Sequence, residues 1–222
     1  RKKLLLAGGL KMLSGLLVMG LLLFVPAGTW RYPGGWRLIA LLFVPMPVVG
    51  VVLYVKAPEL LEKRLNSREQ EPEQKRIILL FALVFVAGFV LAGMDFHFGW
   101  TRLPKAVVVA GCVLFCGAYG LYAEVMRENA WLSRTVEVQE GQQVVDTGLY
   151  GVVRHPMYLG VLVLFLSMPL VLGSAVAVVP FLAIPWVLVQ RIRNEEQVLE
   201  TGLPGYGDYR KKVKYRLIPF LW

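Results

Sequence analysis

Long apolar runs, each cut off by charge or by a turn residue, limit what this chain can fold into. Residues 4–25, 36–55, 77–94 and 104–125 read as four apolar helices. Runs of ~18 apolar residues or more mark transmembrane helices. Inside lipid every backbone N–H and C=O must be paired within the spanning element, and a helix does this alone. Hydrophobic residues make up 57% of the 222, against roughly 45–50% in soluble domains even with Gly counted. The expected fold class is therefore an all-α polytopic membrane helical bundle. Pro45 and Pro47 should kink the second helix, while Pro104 opens the fourth. The first run, preceded by Arg1-Lys2-Lys3, looks like a signal peptide but has no small-x-small site before Pro26, so it is expected to be retained as a span. Lys11 interrupts it, either snorkelling or marking a membrane entry near Met12.

Charge fixes the remaining topology. The net charge of +9 fits loops on the cytoplasmic side and anionic lipid better than nucleic acid. One set of loops carries Arg1, Lys2, Lys3, Lys56, Lys63, Arg64, Arg68, Lys75, Arg76, Arg127, Arg134, Arg154, Arg191, Arg193, Arg210, Lys211, Lys212, Lys214 and Arg216. The other carries only Arg31, Arg37, Arg102 and Lys105. This asymmetry places the N-terminus inside. Residues 157–189 are too long for one span and hold Pro169 and Gly173 mid-way. A single crossing would leave the basic tail outside. A hairpin turning near 167–174 is expected instead, and it returns Arg191–Glu196 to the face that holds Arg154–Tyr158. The organisation that follows is 1–126, transmembrane helices with a charged cytoplasmic loop at 56–76, then 127–222, a region with a membrane hairpin at 157–190 and a basic cytoplasmic tail. Within 126–154, the alternation at 135–139 suggests a short strand. Trp30, Tyr32, Trp36, Phe98 and Trp100 should lie at the outer interface.

Polar residues that abut membrane helices carry the chemistry, because charge there is costly without a bound polar partner. His155 precedes Pro156, and Pro costs little at a first helical position. The free N–H groups of that helix end suit a carboxylate, and Tyr158 lies on roughly the same face. Adjacent carboxylates on a helix point about 100° apart, so at most one of Glu195 and Glu196 should face a common pocket. Arg191 sits four residues before Glu195, which allows a plain surface ion pair or a pair of sites for an anion and a cation. No metal spacing is present, and no metal site is expected. Cys112 and Cys116 share a helix face and read as packing residues. Asp95, His97 and Arg102 read as a structural cluster near the outer face. Gly148, Gly151 and Gly160 form no dinucleotide or phosphate loop.

With these residues in hand, the C-terminal third resembles the isoprenylcysteine carboxyl methyltransferase family of integral-membrane enzymes. The resemblance rests on G-L-Y-G-V-V-R-H-P-M-Y-L-G at 148–160, R-I-R-N-E-E-Q-V-L at 191–199 and G-Y-G-D-Y-R-K-K-V-K-Y-R-L-I-P at 205–219. The upstream M-D-F-H-F-G-W at 94–100 looks like a bacterial branch, which implies a bacterial inner membrane; the charge asymmetry puts both termini on its cytoplasmic side. The resemblance implies S-adenosylmethionine as methyl donor. It places cofactor contacts on Gln142, Gln143, Val144, Val145, Tyr150, His155, Pro156, Met157, Tyr158 and Glu195, with Glu196 as the alternative to Glu195. The substrate-side arginine falls on Arg191, leaving Arg191 and Glu195 as the catalytic pair and the donor pocket on the cytoplasmic side. Gln142 and Gln143 depart from the family's pattern. A carboxylate acceptor needs no general base, and Arg191 would aim it bidentately; an amine acceptor would use a glutamate as base. The partner is a lipophilic or lipid-anchored substrate in the membrane. The competing readings are a phospholipid amine N-methyltransferase, an NADPH enzyme like the sterol reductases, which share R-H-P-x-Y and a Y-R-x-x-P ending, and a non-catalytic membrane protein.

Overall fold

The computed structural model describes residues 2–66, 69 and 72–222, with side chains from Leu4 onward. Arg1, Arg68 and the side chains of Lys2 and Lys3 lie outside the described residues. Among the described residues the chain is all helical: α1 (Lys2–Ala27), α2 (Pro33–Phe43), α3 (Pro45–Lys56), α4 (Pro58–Leu65), α5 (Pro72–Phe98), α6 (Lys105–Glu128), α7 (Pro156–Leu172), α8 (Val178–Phe181), α9 (Ile184–Gly202) and α10 (Tyr206–Lys212). Four stretches are long and apolar enough to cross a bilayer: Leu4–Ala27, Pro33–Lys56, Pro72–Phe98 and Lys105–Glu128. Leu6, Leu10, Leu13 and Leu17 line the outside of α1, and α3 buries no residue at all. Such faces are stable only against lipid. This is an integral membrane protein.

The second span is two helices joined at Val44, immediately before Pro45 and Pro47, as the prolines require. It begins at Pro33 rather than Trp36, and α5 begins at Pro72 rather than Ile77. Both helices start on proline, whose fixed φ suits a first turn and whose missing N–H has no partner to lose there. Among its described residues the charged segment 56–76 is helical over α4 and at its two ends, where α3 finishes at Lys56 and α5 starts at Pro72; the expected strand at 135–139 is absent, and that stretch is irregular, held by side chains instead.

The hairpin is present, and α7 breaks within the expected stretch, 167–174. Pro169 lies inside α7, and the break falls at Gly173, which adopts φ +80° and caps the helix through its N–H to Pro169 and Leu170. The orphaned carbonyls at this helix end are paired by α2: the Tyr32 hydroxyl donates to Leu172 O at 3.1 Å and Arg37 donates to Val171 O at 3.1 and 3.2 Å. That approach needs Gly34, where a Cβ would sit 2.2 Å from Leu172 O. After α8 the chain returns as α9, which buries Ile184, Leu188 and Ile192 on one face at a spacing of four. At this end of the bundle Asp95 is buried and accepts hydrogen bonds from Thr101 Oγ1 (2.5 Å), Thr101 N (2.7 Å) and Ser174 Oγ. His97 Nδ1 contacts Ala27 O at 3.1 Å, and Arg102 is exposed. The cluster is a structural tie between α5 and the hairpin turn. The 17 residues of α7 put this end, with its Phe24–Trp30 and Tyr32–Phe96 ring contacts, about 25 Å from His155.

Candidate functional site

The loop that leads into α7 is built by side chains. Glu128, at the end of α6, accepts from Leu149 N at 3.0 Å. Gly148 lies beside it at φ +52°, where a Cβ would meet Glu128 Oε1 at 1.7 Å. Only glycine meets both conditions. The turn that follows, Gly148–Gly151, presents Tyr150. Asn129 Nδ2 donates to the Tyr150 hydroxyl at 2.9 Å, and the Tyr209 hydroxyl donates to Tyr150 O at 2.7 Å. Burial pushes the Tyr150 phenol up to about 12, so it stays protonated at neutral pH.

Arg154 holds the tail. Its Nη1 donates to Val213 O (2.6 Å) and Lys214 O (2.9 Å), and the main chain pairs Arg154 N with Tyr215 O and His155 N with Arg216 O. Its Nε donates to Glu196 Oε1 at 2.8 Å. The same oxygen lies 3.2 Å from His155 Nε2, and Arg216 Nε donates to Oε2 at 2.7 Å. Burial alone would push the Glu196 carboxyl up, but hydrogen bonds from His155, Arg154 and Arg216 outweigh it and hold the group well below the usual carboxylate range. Glu196 is then an acceptor only, so His155 Nε2 carries the proton it shares with Glu196. His155 Nδ1 is left facing Glu195 Oε1, 4.0 Å away.

Glu195 occupies the other side of the helix, as the 100° offset requires. Its Oε2 accepts from the Tyr158 hydroxyl. That hydroxyl accepts from Arg191 Nε at 2.9 Å, and the guanidinium stands over the Tyr158 ring. Arg191 and Glu195 are thus bridged by Tyr158 and form no direct ion pair. Arg191 Nη1 donates to Gln74 Oε1 at 2.7 Å and Nη2 to Arg134 O at 2.9 Å. The fully buried Gln74 donates in turn to Asn194 Oδ1 at 2.6 Å. Arg191 therefore has three of its five N–H groups committed. A side-on bidentate clamp through Nε is occupied, and only its terminal nitrogens can receive an anion. Gln74 was not legible as a site residue, because a single amide in the first turn of an apolar helix resembles a polar helix start.

One cleft gathers most of the expected residues. Gln142, Gln143, Val144, Val145, Tyr150, His155, Met157, Tyr158, Arg191 and Glu195 line it, together with Ser133, Leu199, Leu203, Tyr206 and Tyr209. Pro156 lies buried behind the wall, and Glu196 is buried behind His155. Gln142 Oε1 is turned back to accept from Gln139 N at 2.8 Å, which orders the loop and spends that side chain's acceptor. Tyr206 is only 4% exposed, and its hydroxyl has no hydrogen-bond partner among the described residues. A buried orphan hydroxyl costs free energy until something pairs with it. No group of His, Cys, Asp and Glu among the described residues could hold a metal ion.

Residues 109–201 match the Isoprenylcysteine carboxyl methyltransferase (ICMT) family. It is the family that the C-terminal motifs resemble, and the match also takes in most of α6. Over 148 residues the chain is 27% identical to a Protein-S-isoprenylcysteine O-methyltransferase of Dictyostelium discoideum, covering 63% of this chain and 62% of that protein. Over 92 residues it is 35% identical to a Delta(14)-sterol reductase of Mus musculus, covering 40% of this chain but 22% of that protein. The chain spans less than two thirds of the length of either relative. The fold is shared with the solved eukaryotic intramembrane Ras methyltransferase ICMT, at a TM-score of 0.52 and 18% identity over 93% of this chain and 73% of that one.

Proposed function

We propose that this chain, with the ICMT-family region at its centre, is an integral-membrane methyltransferase that uses S-adenosylmethionine to methylate a carboxylate on a lipophilic acceptor. The observation that carries this reading is the Tyr158 hydroxyl, which joins an anionic group, Glu195, to a cationic one, Arg191, across a single cleft at the end of the membrane hairpin. A donor with an ammonium group and an acceptor with a carboxylate need that pair of neighbours. The residues present fit the donor. Among the described residues Glu195 Oε1 has no hydrogen-bonded partner and can take an ammonium, Met157 in the first turn of α7 lines the cleft, Val144, Leu199 and Leu203 offer an apolar wall, and the Tyr206 hydroxyl has no hydrogen-bond partner.

S-adenosylmethionine supplies, when bound, a methyl group on a sulfonium that a nucleophile can displace. The chain's part is to hold and orient. Glu195 fixes the donor's amino-acid end, and the Tyr150 and Tyr158 rings favour a cation near them. The terminal nitrogens of Arg191 turn the acceptor carboxylate toward the transferred carbon. An ionised carboxylate needs no general base, so positioning supplies the rate enhancement, and proximity can contribute several kcal/mol. An amine acceptor would find a guanidinium where it needs a proton acceptor, which favours the carboxyl reading. The basic loops support a cytoplasmic position for the cleft and both termini in a bacterial inner membrane; a C-terminal reporter should be active only on the cytoplasmic side, and periplasmic activity would refute that orientation.

Equilibrium binding in detergent tests the donor. Micromolar affinity for S-adenosylmethionine or S-adenosylhomocysteine, with none for NADPH, is expected; NADPH binding without S-adenosylmethionine binding would instead favour the reductase relatives. Tyr206→Phe sharpens the test. It removes a hydroxyl that has no hydrogen-bond partner among the described residues, so melting of the free protein should be unchanged or slightly higher. Donor affinity should fall about 5- to 15-fold, as expected for one lost hydrogen bond. Unchanged affinity would remove Tyr206 from the donor pocket.

A further inference from the structure

Arg64, on α4, lies outside the family match and is absent from every role assigned above. Its Nη1 donates to Ser133 O at 3.1 Å and lies 4.0 Å from Met157 Sδ, and its guanidinium stands 5.2 Å from the centre of the Tyr122 ring. Among the described residues it makes no ion pair with a carboxylate. Burial, and then the neighbouring Arg134, push its pKa down to about 10, with Arg191 acting in the same direction. A half-buried guanidinium with one good hydrogen bond, two like charges nearby and no carboxylate partner among the described residues is a ready place for a counter-ion. Arg64 and Arg191 also bind consecutive carbonyls, Ser133 O and Arg134 O. The two guanidiniums thus flank one peptide in the cleft wall, from α4 on one side and α9 on the other. The thioether of Met157, an adaptable side chain, stands between Arg64 and the cleft. Tyr122 lies six residues before the α6 span ends at Glu128, so Arg64 stands against the last two turns of a membrane helix, at a depth that an acid with its tail in lipid can reach.

We infer that Arg64 is a second determinant of the acceptor site, pairing with the carboxylate of a lipophilic acid jointly with Arg191 and selecting anionic over neutral acceptors. This rests on the carboxyl methyltransferase reading. N-acetyl-S-farnesylcysteine and its carboxamide serve as probes. Wild-type protein should bind the acid at least tenfold more tightly than the amide. Arg64→Gln should weaken acid binding about tenfold and raise its KM, leave the amide unchanged, and leave S-adenosylmethionine affinity within twofold. Arg64→Lys should recover part of the acid preference. Equal losses for acid and amide, or a parallel loss of donor affinity, would show that Arg64 only pins the loop at Ser133 and would overturn the inference. Should Arg64→Gln fail to fold, Arg64→Lys decides: a reduced acid-over-amide ratio at unchanged donor affinity supports the inference, and a ratio equal to that of wild type overturns it. Methyl transfer to the acid with Arg64→Gln unaffected defeats only this inference, whereas no transfer by wild-type protein defeats the reading beneath it.

Discussion

Glu196→Ala should destabilise the protein by about 3–5 kcal/mol, the usual cost of stranding one side of a buried ion pair. The substitution leaves Arg154, His155 and Arg216 converging on an empty space. It also frees the tail, because the guanidinium that grips Val213 O and Lys214 O is oriented by Glu196. Melting in detergent at pH 7 reads the loss, and Glu196→Gln should show much of it. The pH dependence has a definite sign. The folded-state pKa lies below the unfolded value, so the contribution is complete above the unfolded pKa of about 4.3 and is lost as pH falls from there toward the folded value. The gap in melting temperature between wild type and Glu196→Gln should therefore be widest near neutrality and shrink below about pH 4. A gap that stays constant from pH 7 to pH 3 would mean that Glu196 is not held as an ionised acceptor.

Glu195→Gln should behave in the opposite way. Its carboxyl is partly open to the cleft, with the side chain 23% exposed, and its partner Tyr158 can donate equally to an amide oxygen. Folding should be nearly untouched. Donor affinity should fall about 10- to 100-fold, the magnitude of a lost charged hydrogen bond, and turnover with it, since Tyr158 and Arg191 are positioned through the same carboxylate. Titration calorimetry and melting on the same sample separate the neighbours. Glu196 variants lose stability first, while Glu195 variants lose ligand and keep stability. A Glu195→Gln protein that binds S-adenosylmethionine normally would remove the residue from the donor site.

The span count and the return of the chain were legible because lipid leaves the backbone few options and because charged loops sort by side. Pro45 and Pro47 located the kink at Val44. Of the two breakers in the middle of the hairpin, the helix runs through Pro169 and breaks at Gly173, the residue able to take φ +80°. The strand at 135–139 failed because alternation alone cannot supply a partner strand. At the site, the motifs identified the wall of the cleft from Gln142 to Tyr158 and put Arg191 and Glu195 opposite. They could not reveal what holds that wall in place. Gln74, Asn194 and Arg64 come from separate parts of the chain, and their roles exist only after α4, α5 and α9 have packed. The Glu195–Glu196 ambiguity was of the same kind. Helical geometry says that the two point apart, but only the positions of Arg154 and Arg216 show which one faces inward.

The central claim is tested most directly by transfer of a labelled methyl group from S-adenosylmethionine to a lipophilic carboxylic acid by the purified protein in lipid nanodiscs. Label is expected in the lipid product as a base-labile ester, lost with Arg191→Ala and strongly reduced with Glu195→Gln. Base-stable label, or no transfer from a folded protein that instead binds and oxidises NADPH, would contradict it.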